Sequence, residues 1–329
     1  MESFWKSLPK PFFVLAPMAD VTDPAYRALI AQMGKPDVTW TEFVSADGLY
    51  HTREPRKDGT RVYEHDADNP LMRDLLFTEA ERPIVAQLFS SKPEMMAYAA
   101  KLCASLGFDG IDINMGCPVG TIVNQGCGAA MIQHPDVAKA VIAAARASGL
   151  PVSVKTRIGY NAEEIDTWLA TLLEQKLDAL TVHLRTRKEM SKVAAHWELM
   201  PRILALRDRI CPDTLILGNG DVDSLEDARQ KVAESGCDGI MLGRAIFGNP
   251  WLFDEERSTE NIAPGERIEA LAALARSFDE LRPRKSFHIL KKHIKAFITG
   301  WDGASGLRTR LMEATTLEDF QRALRESGV

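Results

Sequence analysis

The amino-acid sequence predicts an α/β protein in which a (β/α)8 TIM barrel is followed by a small all-helical C-terminal domain. Eight short β-type runs recur over roughly 240 residues, with helical segments between most of them, which is the size and rhythm of such a barrel. After residue 253 the strand pattern stops and the remaining segments are helical in character. A doubly wound sheet is the alternative. Its first βα turn would carry a glycine-rich fingerprint, whereas the first run here ends in Ala16, Pro17 and Met18.

The strands and helices of the barrel are predicted from runs of apolar residues bounded by turn residues. The strands are Phe12–Met18, Val38–Ser45, Pro83–Phe89, Gly110–Gly116, Pro151–Gly159, Ala179–Arg185, Thr214–Asp221 and Gly239–Arg244. The helices are Pro93–Leu106, Pro135–Ser148 and Leu225–Ser235, and each of them ends before a glycine. The segment from Tyr50 to Glu81 is rich in charge and lacks apolar periodicity. We expect it to form a long βα loop, with room for a short helix, on the catalytic face.

Composition and charge narrow the classes of protein to which the chain can belong. It has 329 residues, 45% of them hydrophobic, and its net charge of −6 is not that of a nucleic-acid-binding polycation. The five cysteines form no Cys-x-x-Cys pair, which argues against a disulfide framework or a zinc site. There is no signal-peptide pattern and no run of about 20 apolar residues. We expect a cytoplasmic monomer that binds no metal and no membrane.

The C-terminal part of the chain differs in character from the barrel. We predict a barrel domain over residues 1–253, a polar linker over residues 254–265 and a helical domain over residues 266–329. The predicted helices of that domain are Arg267–Leu281, Lys285–Thr299, Gly303–Ala314 and Leu317–Ser327. Residues 282–310 hold eight lysines and arginines and one acid. In an otherwise acidic chain, these basic residues either form a helix face that is only exposed to solvent or bind the phosphate backbone of a nucleic acid.

One turn in the middle of the barrel combines a thiol with an amide. The strand that begins at Gly110 alternates apolar and polar residues and ends in Gly116 and Cys117, after which Pro118 prevents it from continuing. Cys117 is therefore held at the carboxyl end of a strand, near Asn114, where α/β proteins collect ligands. A lone cysteine is more often a core residue, so the turn alone does not decide its role.

Polar and cationic side chains also follow the other strands, whose carboxyl ends share one mouth of a barrel. Glycines and an arginine after the last two strands suit a phosphate, and Lys155 can stabilise negative charge on a reduced ring. Together these residues predict a flavin mononucleotide (FMN) across the mouth. Its predicted ligands are Ala16, Pro17, Met18, Gln87, Lys155, His183, Asn219, Gly220, Asp221, Gly243 and Arg244.

Over essentially its whole length, the chain resembles the tRNA-dihydrouridine synthase family. The resemblance rests on Ala-Pro-Met at 16–18, Thr-Glu-Phe at 41–43, Asn-Met-Gly-Cys-Pro at 114–118, Asn-Gly-Asp at 219–221, Gly-Arg at 243–244 and Asn-Pro-Trp at 249–251. It implies an FMN-binding barrel, NADPH as the source of hydride and a helical domain that grips tRNA. The tRNA backbone is then expected to contact Arg282, Arg284, Lys285, Lys291, Lys292 and Lys295.

The resemblance also implies a reaction, the reduction of the C5–C6 bond of specific uridines in tRNA. Hydride would pass from reduced flavin to C6, and Cys117 would give a proton to C5. A thiol with a pKa of about 8.5 is mostly protonated near neutrality and can act as a general acid. Asn114, Arg157 and Arg185 are expected to contact the uridine.

The chain departs from the family pattern at two places. Leu184 stands where the family usually has a glycine, and we expect it to alter packing beside the flavin phosphate or the substrate. Val119, Gly120 and Thr121 stand where the family often has a lysine, so a phosphate or substrate contact through that lysine is not expected here.

Three other functions are consistent with parts of the sequence. A flavin barrel that acts on a free pyrimidine or another small enone would need no basic helical domain. A barrel that only binds RNA would hold no flavin. A phosphate-sugar isomerase would require a carboxylate base at the end of a strand. The strand ends here carry mainly amides, cations and a thiol, which argues against this function.

Overall fold

The computed structural model describes residues 3–52, 69–257 and 262–328, and its strands form one parallel barrel. The strands are β1 Phe12–Leu15, β2 Thr39–Trp40, β3 Val44–Ser45, β4 Ile84–Phe89, β5 Gly110–Met115, β6 Val152–Arg157, β7 Ala179–His183, β8 Leu215–Asn219 and β9 Gly239–Leu242. Their order is β1-β9-β8-β7-β6-β5-β4-β2, with β3 also paired to β4. The Asp37 N–H donates to the Phe13 carbonyl oxygen (3.0 Å), which brings the two ends of the sheet together. The predicted barrel is confirmed.

The second predicted strand, Val38–Ser45, is wrong in one respect, because the structure divides it into β2 and β3. Both halves pair with β4, but residues 41–43 leave the ladder. The Thr41 hydroxyl oxygen accepts the Gln87 N–H (3.0 Å) in place of a strand carbonyl. A side-chain acceptor of this kind lets one strand turn away while its neighbour keeps a hydrogen-bond partner.

Helices surround the barrel and continue beyond it. They are α1 Pro24–Met33, α2 Ala46–His51, α3 Pro70–Asp74, α4 Pro93–Ser105, α5 Gly120–Val123, α6 Pro135–Ala145, α7 Ala170–Leu173, α8 Met200–Ile210, α9 Leu225–Ser235, α10 Pro264–Glu280, α11 Lys291–Phe297, α12 Ala304–Glu313 and α13 Leu317–Glu326. A π-helical turn, Ile165–Leu169, leads into α7. The structure confirms the predicted helices that correspond to α4, α6, α9, α10, α12 and α13. The helix predicted at Lys285–Thr299 is shorter, because a 3-10 turn at Phe287–Leu290 precedes α11.

The barrel interior is apolar at the amino ends of the strands and polar at their carboxyl ends. Trp5, on a 3-10 turn before β1, fills the apolar end, where its ring centroid lies 5.7 Å from that of Trp40 and 6.1 Å from that of Phe12. Because side chains alternate along a strand, one face of each strand lines the interior. Near the mouth, the faces of β4 to β8 carry Gln87, Asn114, Lys155, His183 and Asn219.

The C-terminal helices share a hydrophobic core with the barrel. Tyr26 of α1 packs edge-on against His293 (ring centroids 4.5 Å apart) and Phe297 (6.3 Å) of α11. Its hydroxyl donates to the Ile246 carbonyl oxygen, just after β9. The division at residue 253 and the linker over 254–265 remain predictions, since residues 258–261 lie outside the described residues and α10 begins at Pro264.

The predicted loop from Tyr50 to Glu81 is described in part. Tyr50 lies within α2, and α3 and a 3-10 turn at Glu79–Glu81 occupy the end of the segment. Its charged residues Arg53, Glu54, Arg56, Lys57, Asp58 and Arg61 lie outside the described residues. Over the described ranges, no helix is long and apolar enough to cross a bilayer, and no group of His, Cys, Asp and Glu residues is arranged to hold a metal ion.

Candidate active site

A cavity of about 250 Å³ opens at the carboxyl ends of the strands and gathers most of the predicted cofactor ligands. Its lining includes Ala16, Pro17, Met18, Lys155, His183, Asn219, Gly220, Asp221, Gly243 and Arg244, together with Arg185. The cavity is also lined by four residues that were not predicted from the sequence, Ser191, Val222, Asp223 and Met241. Residues far apart in the chain therefore meet at one place, as the predicted barrel requires.

Lys155 on β6 and Asn219 on β8 meet in this cavity, in front of β7, which lies between their strands. The ammonium donates to Asn219 Oδ1 (3.0 Å), and the Asn219 NH2 donates to the Met241 carbonyl oxygen (2.8 Å), so the amide has one satisfactory orientation. Burial, with a smaller contribution from the charge of Arg157, lowers the pKa of Lys155 to about 8. Lys155 is still largely protonated at neutral pH and offers a fixed positive charge to a ligand.

His183 stands in the same cavity as a neutral ring. Burial, helped by the nearby charges of Lys155 and Arg157, holds its pKa well below the usual range. Its Nε2 lies 3.1 Å from Arg185 Nη1. A guanidinium nitrogen can only donate, so we assign Nε2 as the acceptor and place the ring proton on Nδ1. His183 thus keeps one N–H donor for another partner.

Asp221 lies between two arginines at the side of the cavity. Its Oδ2 accepts from Arg185 Nη2 and from the Ala195 N–H (2.9 Å), and its Oδ1 accepts from Arg244 Nη2 (2.8 Å). The hydrogen bond from Arg185, with burial opposing it, lowers the pKa of Asp221. Arg185 also donates from Nε to the Val193 carbonyl oxygen (2.7 Å), so all three of its nitrogens are engaged. Its predicted contact with the uridine stays a prediction.

Gly220 shapes the cavity through the absence of a side chain. Its φ is +126°, and a Cβ there would lie 2.9 Å from Ala195 Cβ and 3.2 Å from His183 Cδ2. Any other residue would strain the backbone and press on the His183 ring. A glycine is therefore needed for the backbone to approach this closely.

The Cys117 turn follows β5, beside the strand that carries Lys155. Asn114 Oδ1 accepts from the N–H groups of Gly116 (3.2 Å) and Cys117 (2.9 Å) and so holds the turn. The Cys117 carbonyl oxygen accepts the Ala129 N–H (3.0 Å). Burial raises the pKa of the Cys117 thiol. The sulfur is therefore protonated at neutral pH.

Arg157 connects this turn to the loop after β7. Its Nε donates to the Gly116 carbonyl oxygen (2.8 Å), and its Nη1 donates to the carbonyl oxygens of Thr186 (3.1 Å) and Met190 (3.0 Å). The side chain is buried. The contact with the uridine predicted for Arg157 would have to be made through Nη2, and it stays a prediction.

Gln87, the remaining predicted cofactor ligand, is fully buried beside the Cys117 turn. Its Oε1 accepts from the Asn114 NH2 (3.1 Å), and its own NH2 donates to Asp112 Oδ2 (2.6 Å). No role was predicted for Asp112 from the sequence. Its position two residues before Asn114 on one strand was the signal, because alternate residues share a face.

The two departures from the family pattern have different surroundings. Leu184 is fully buried in the core outside the barrel wall, since its neighbour His183 is the residue that faces the cavity. The expectation that Leu184 alters packing beside the flavin phosphate or substrate is therefore wrong. Val119 is exposed at the start of α5, and a Cβ added at Gly120 would meet no atom within 4 Å.

The basic residues assigned to the tRNA backbone include one exception. Arg282, Arg284 and Lys295 are exposed, and Lys291 and Lys292 are half-buried. The prediction for Lys285 is wrong, because its side chain is 5% exposed and its ammonium lies 2.6 Å from Glu42 Oε2 and 3.3 Å from Asp74 Oδ1. A lysine enclosed by carboxylates of the barrel side cannot reach a phosphate on the surface.

Comparison with known proteins matches nearly the whole chain to one family. A family model described as "Dihydrouridine synthase (Dus)" matches residues 14–327. The "Probable tRNA-dihydrouridine synthase 2" of Bacillus subtilis (strain 168) is 42% identical over 332 residues, which cover 98% of this chain and 97% of that protein. The "Probable tRNA-dihydrouridine synthase" of Staphylococcus aureus (strain COL) is 40% identical over 329 residues, 99% of this chain and 95% of that protein.

Solved structures with much lower sequence identity share the fold. A structure of morphinone reductase in complex with tetrahydroNAD matches 75% of this chain and 87% of its own, with a TM-score of 0.52 and 12% identity. A 2-naphthoyl-CoA reductase matches 74% of this chain and 49% of its own, with a TM-score of 0.54 and 10% identity. At these identities the likeness concerns the barrel alone.

Proposed function

This chain belongs to the dihydrouridine synthase family, and from that membership we propose that it reduces the C5–C6 bond of specific uridines in tRNA. One observation carries the proposal. The protonated thiol of Cys117 lies within electrostatic range of the Lys155 ammonium, and Lys155 lines a cavity together with the neutral His183 and the amide of Asn219. Such a site can hold a planar ring that accumulates negative charge and can give a proton to a substrate next to it.

The cavity fits FMN as the cofactor. Lys155 and the Nδ1–H of His183 are a cation and a donor suited to the ring, and Ala16, Pro17 and Met18 give one wall. The backbone at Gly220 and Gly243, with the guanidinium of Arg244, suits the phosphate end. The carboxylate of Asp221 would repel a phosphate directly. We infer that it acts by holding Arg185 and Arg244 in place.

The chain's own residues would then position the uracil and complete the reaction. Reduced flavin, when bound, supplies the hydride that adds to C6 of uracil. Negative charge then develops at C5 and O4, and Cys117 quenches it by donating its proton to C5. The S–H bond breaks as the C5–H bond forms, and the thiolate takes a new proton from solvent. Asn114 holds the turn that aims the sulfur.

The substrate's size explains the basic C-terminal segment. A uridine in folded tRNA must leave its stack to reach the mouth of a barrel. The exposed side chains of Arg282, Arg284 and Lys295 offer positive charge to the phosphates that flank it. We also infer that NADPH is the reductant, that the protein works as a monomer and that it acts in the cytoplasm. The family resemblance favours the reductant, and the composition favours the location.

The test is to map dihydrouridine in an unmodified tRNA transcript after incubation with the protein, FMN and NADPH. We expect conversion at one or a few positions and none without NADPH. Free uracil and orotate serve as parallel substrates. If these re-oxidise the reduced protein and the tRNA does not, the protein is a flavin barrel for small pyrimidines and the proposal is wrong.

A further inference from the structure

Asp112 is a fully buried acid in the barrel interior, and it stands at one end of a row of hydrogen bonds that leads to Cys117. It lies on β5, where its Cα pairs with that of Ser153 on β6 and with that of Gln87 on β4. Its Oδ1 accepts from the Ser153 hydroxyl (2.6 Å), and its Oδ2 accepts from the Gln87 NH2 (2.6 Å). Burial raises the pKa of Asp112 to about 6, so at neutral pH it is mainly a carboxylate and accepts hydrogen bonds only.

The row continues through two amides. Gln87 Oε1 accepts from the Asn114 NH2 (3.1 Å), and Asn114 Oδ1 accepts from the N–H groups of Gly116 and Cys117. Each amide therefore donates toward Asp112 and accepts from the side of Cys117. The two backbone N–H groups at the far end can only donate, and the carboxylate at the near end can only accept. Both ends demand the same orientation of Gln87 and Asn114.

We propose that Asp112 is a positioning residue for Cys117, which it serves by orienting the amides of Gln87 and Asn114 so that Asn114 presents its oxygen to the turn. With an acceptor at one end, Gln87 keeps its oxygen for Asn114. Asn114 then holds the Gly116–Cys117 backbone, and the thiol points where the turn directs it. This role rests on the proposed function, in which Cys117 is the proton donor.

Asp112 could act through its negative charge or through its hydrogen-bond acceptor, and two substitutions distinguish these possibilities. If its negative charge matters, for example as a counter-ion to the buried Lys155, then Asp112→Asn and Asp112→Leu are equally harmful. If its acceptor matters, Asn can replace it. The new amide can point its oxygen at Gln87 and its NH2 at the Ser153 hydroxyl oxygen, which has free lone pairs. Leu has no acceptor and leaves the Gln87 NH2 buried without one.

Ser153 supplies a second, independent variant. Ser153→Ala alone leaves Asp112 Oδ2 in contact with Gln87, so the row stays intact. In Asp112→Asn with Ser153→Ala, the new NH2 has no acceptor on the Ser153 side. It then competes with Asn114 for the Gln87 oxygen. The inference thus predicts that the double variant is worse than the product of the two single effects.

The experiment compares wild type, D112N, D112L, S153A and D112N/S153A by two measurements on the FMN-loaded protein. The first is the rate of iodoacetamide alkylation at Cys117, followed by mass spectrometry without tRNA or NADPH. Cys211, half-exposed at the end of α8, is the internal reference for an intact fold. The second measurement is kcat and KM for dihydrouridine formation. Because the first needs no turnover, a failure of the proposed function would leave it readable.

We expect D112N and S153A to stay within about threefold of wild type in kcat and in Cys117 alkylation, since they keep the row's hydrogen bonds. D112L and D112N/S153A should lose about 10- to 100-fold in kcat, the cost of a misplaced reacting group, with KM for tRNA little changed. Their Cys117 alkylation rate should change about threefold or more while that of Cys211 does not. If D112L fails to fold, the double variant decides.

Two results would overturn the inference. One is a D112N variant that is impaired as much as D112L, which would make the charge the important property. The other is wild-type kcat and Cys117 alkylation in D112L, or in D112N/S153A where D112L is not folded. Either result would show that Cys117 is positioned without the acceptor at Asp112.

Discussion

The ammonium of Lys285 lies 2.6 Å from a carboxylate oxygen of Glu42, and both side chains are more than nine-tenths buried. Lys285 precedes α11, whereas Glu42 lies between β2 and β3, so the ion pair joins the C-terminal helices to the barrel. Asp74 of α3 is the second partner of the same ammonium (3.3 Å). These carboxylates compensate the charge of the buried ammonium, and a buried charge without a partner is strongly destabilising.

Removing the lysine should therefore reduce stability. We expect Lys285→Met to lower the free energy of unfolding by about 3 kcal/mol, because Glu42 is left buried without its cation. Urea denaturation measures this change. Lys295→Met, at an exposed lysine of α11, is the matched control and should change stability by less than about 0.5 kcal/mol. Equal losses in the two variants would show that the buried pair is not important.

Exposed basic residues should instead affect tRNA. We expect simultaneous substitution of Arg284, Lys292 and Lys295 by Gln to weaken tRNA binding and to reduce the slope of log Kd against log salt by up to about one per lost phosphate contact. Filter binding at several salt concentrations measures both. Lys139→Gln, at a half-exposed lysine on α6, is the control. An unchanged slope in the triple variant would contradict the role of this segment.

Cys117 should be required for the transfer of a proton to C5 of uracil. We expect Cys117→Ala to keep bound FMN and NADPH oxidation but to lose dihydrouridine formation about 100-fold or more, since a positioned general acid contributes about that much. Because burial raises the thiol pKa, ionisation of the thiol should lower the wild-type rate only well above neutral pH, whereas a fall near pH 8 is expected from Lys155, whose pKa is about 8. Mass spectrometry of the tRNA gives the rates. Cys211→Ala is the control, and normal dihydrouridine formation by Cys117→Ala would rule out the assignment.

His293 should make the fold sensitive to acid. It is buried, neither ring nitrogen has a hydrogen-bond partner among the described residues, and burial lowers its pKa to about 3. A depressed pKa means that its stabilising effect is complete above the unfolded-state value of about 6.5 and is lost as pH falls toward the folded-state value. In this window the unfolded state binds one more proton, so stability should fall by up to about 1.4 kcal/mol per pH unit from this group.

His293→Phe tests this dependence. Phenylalanine can pack against Tyr26 and Phe297 and cannot take a proton, so the slope of unfolding free energy against pH between 6 and 4 should decrease by up to about 1.4 kcal/mol per unit. His288→Phe, at an exposed histidine of the preceding 3-10 turn, should leave the slope unchanged. Identical slopes in wild type and His293→Phe would contradict the prediction.

The sequence was sufficient for the barrel and for most of the residues that line its cavity. Both depend on short-range patterns, namely alternation along a strand and a polar residue or glycine where the strand stops. Ten of the predicted cofactor ligands meet at the cavity for this reason. The turn that holds Cys117 could also be predicted in this way, because it is defined by the neighbouring residues Gly116 and Pro118.

The residues that were misjudged depend on partners far along the chain. Lys285 looked like its basic neighbours until the structure brought Glu42 to it, a separation of 243 positions. Leu184 was expected from family likeness to alter packing beside the flavin phosphate or the substrate, although alternation with His183 turns its side chain outward. The split between β2 and β3 depends on one hydroxyl, that of Thr41, which replaces a carbonyl in the ladder. Local pattern carries no information on which of these contacts forms.

The hydrogen bonds of Arg157 and Arg185 have a consequence for the thermodynamics of substrate binding. These two buried side chains donate hydrogen bonds to the carbonyl oxygens of Thr186, Met190 and Val193. The loop after β7 is therefore already ordered in the free protein. A loop that is ordered in advance loses little conformational entropy when a large ligand docks on it. More of the favourable free energy of the tRNA contacts is then left to offset the cost of unstacking the uridine.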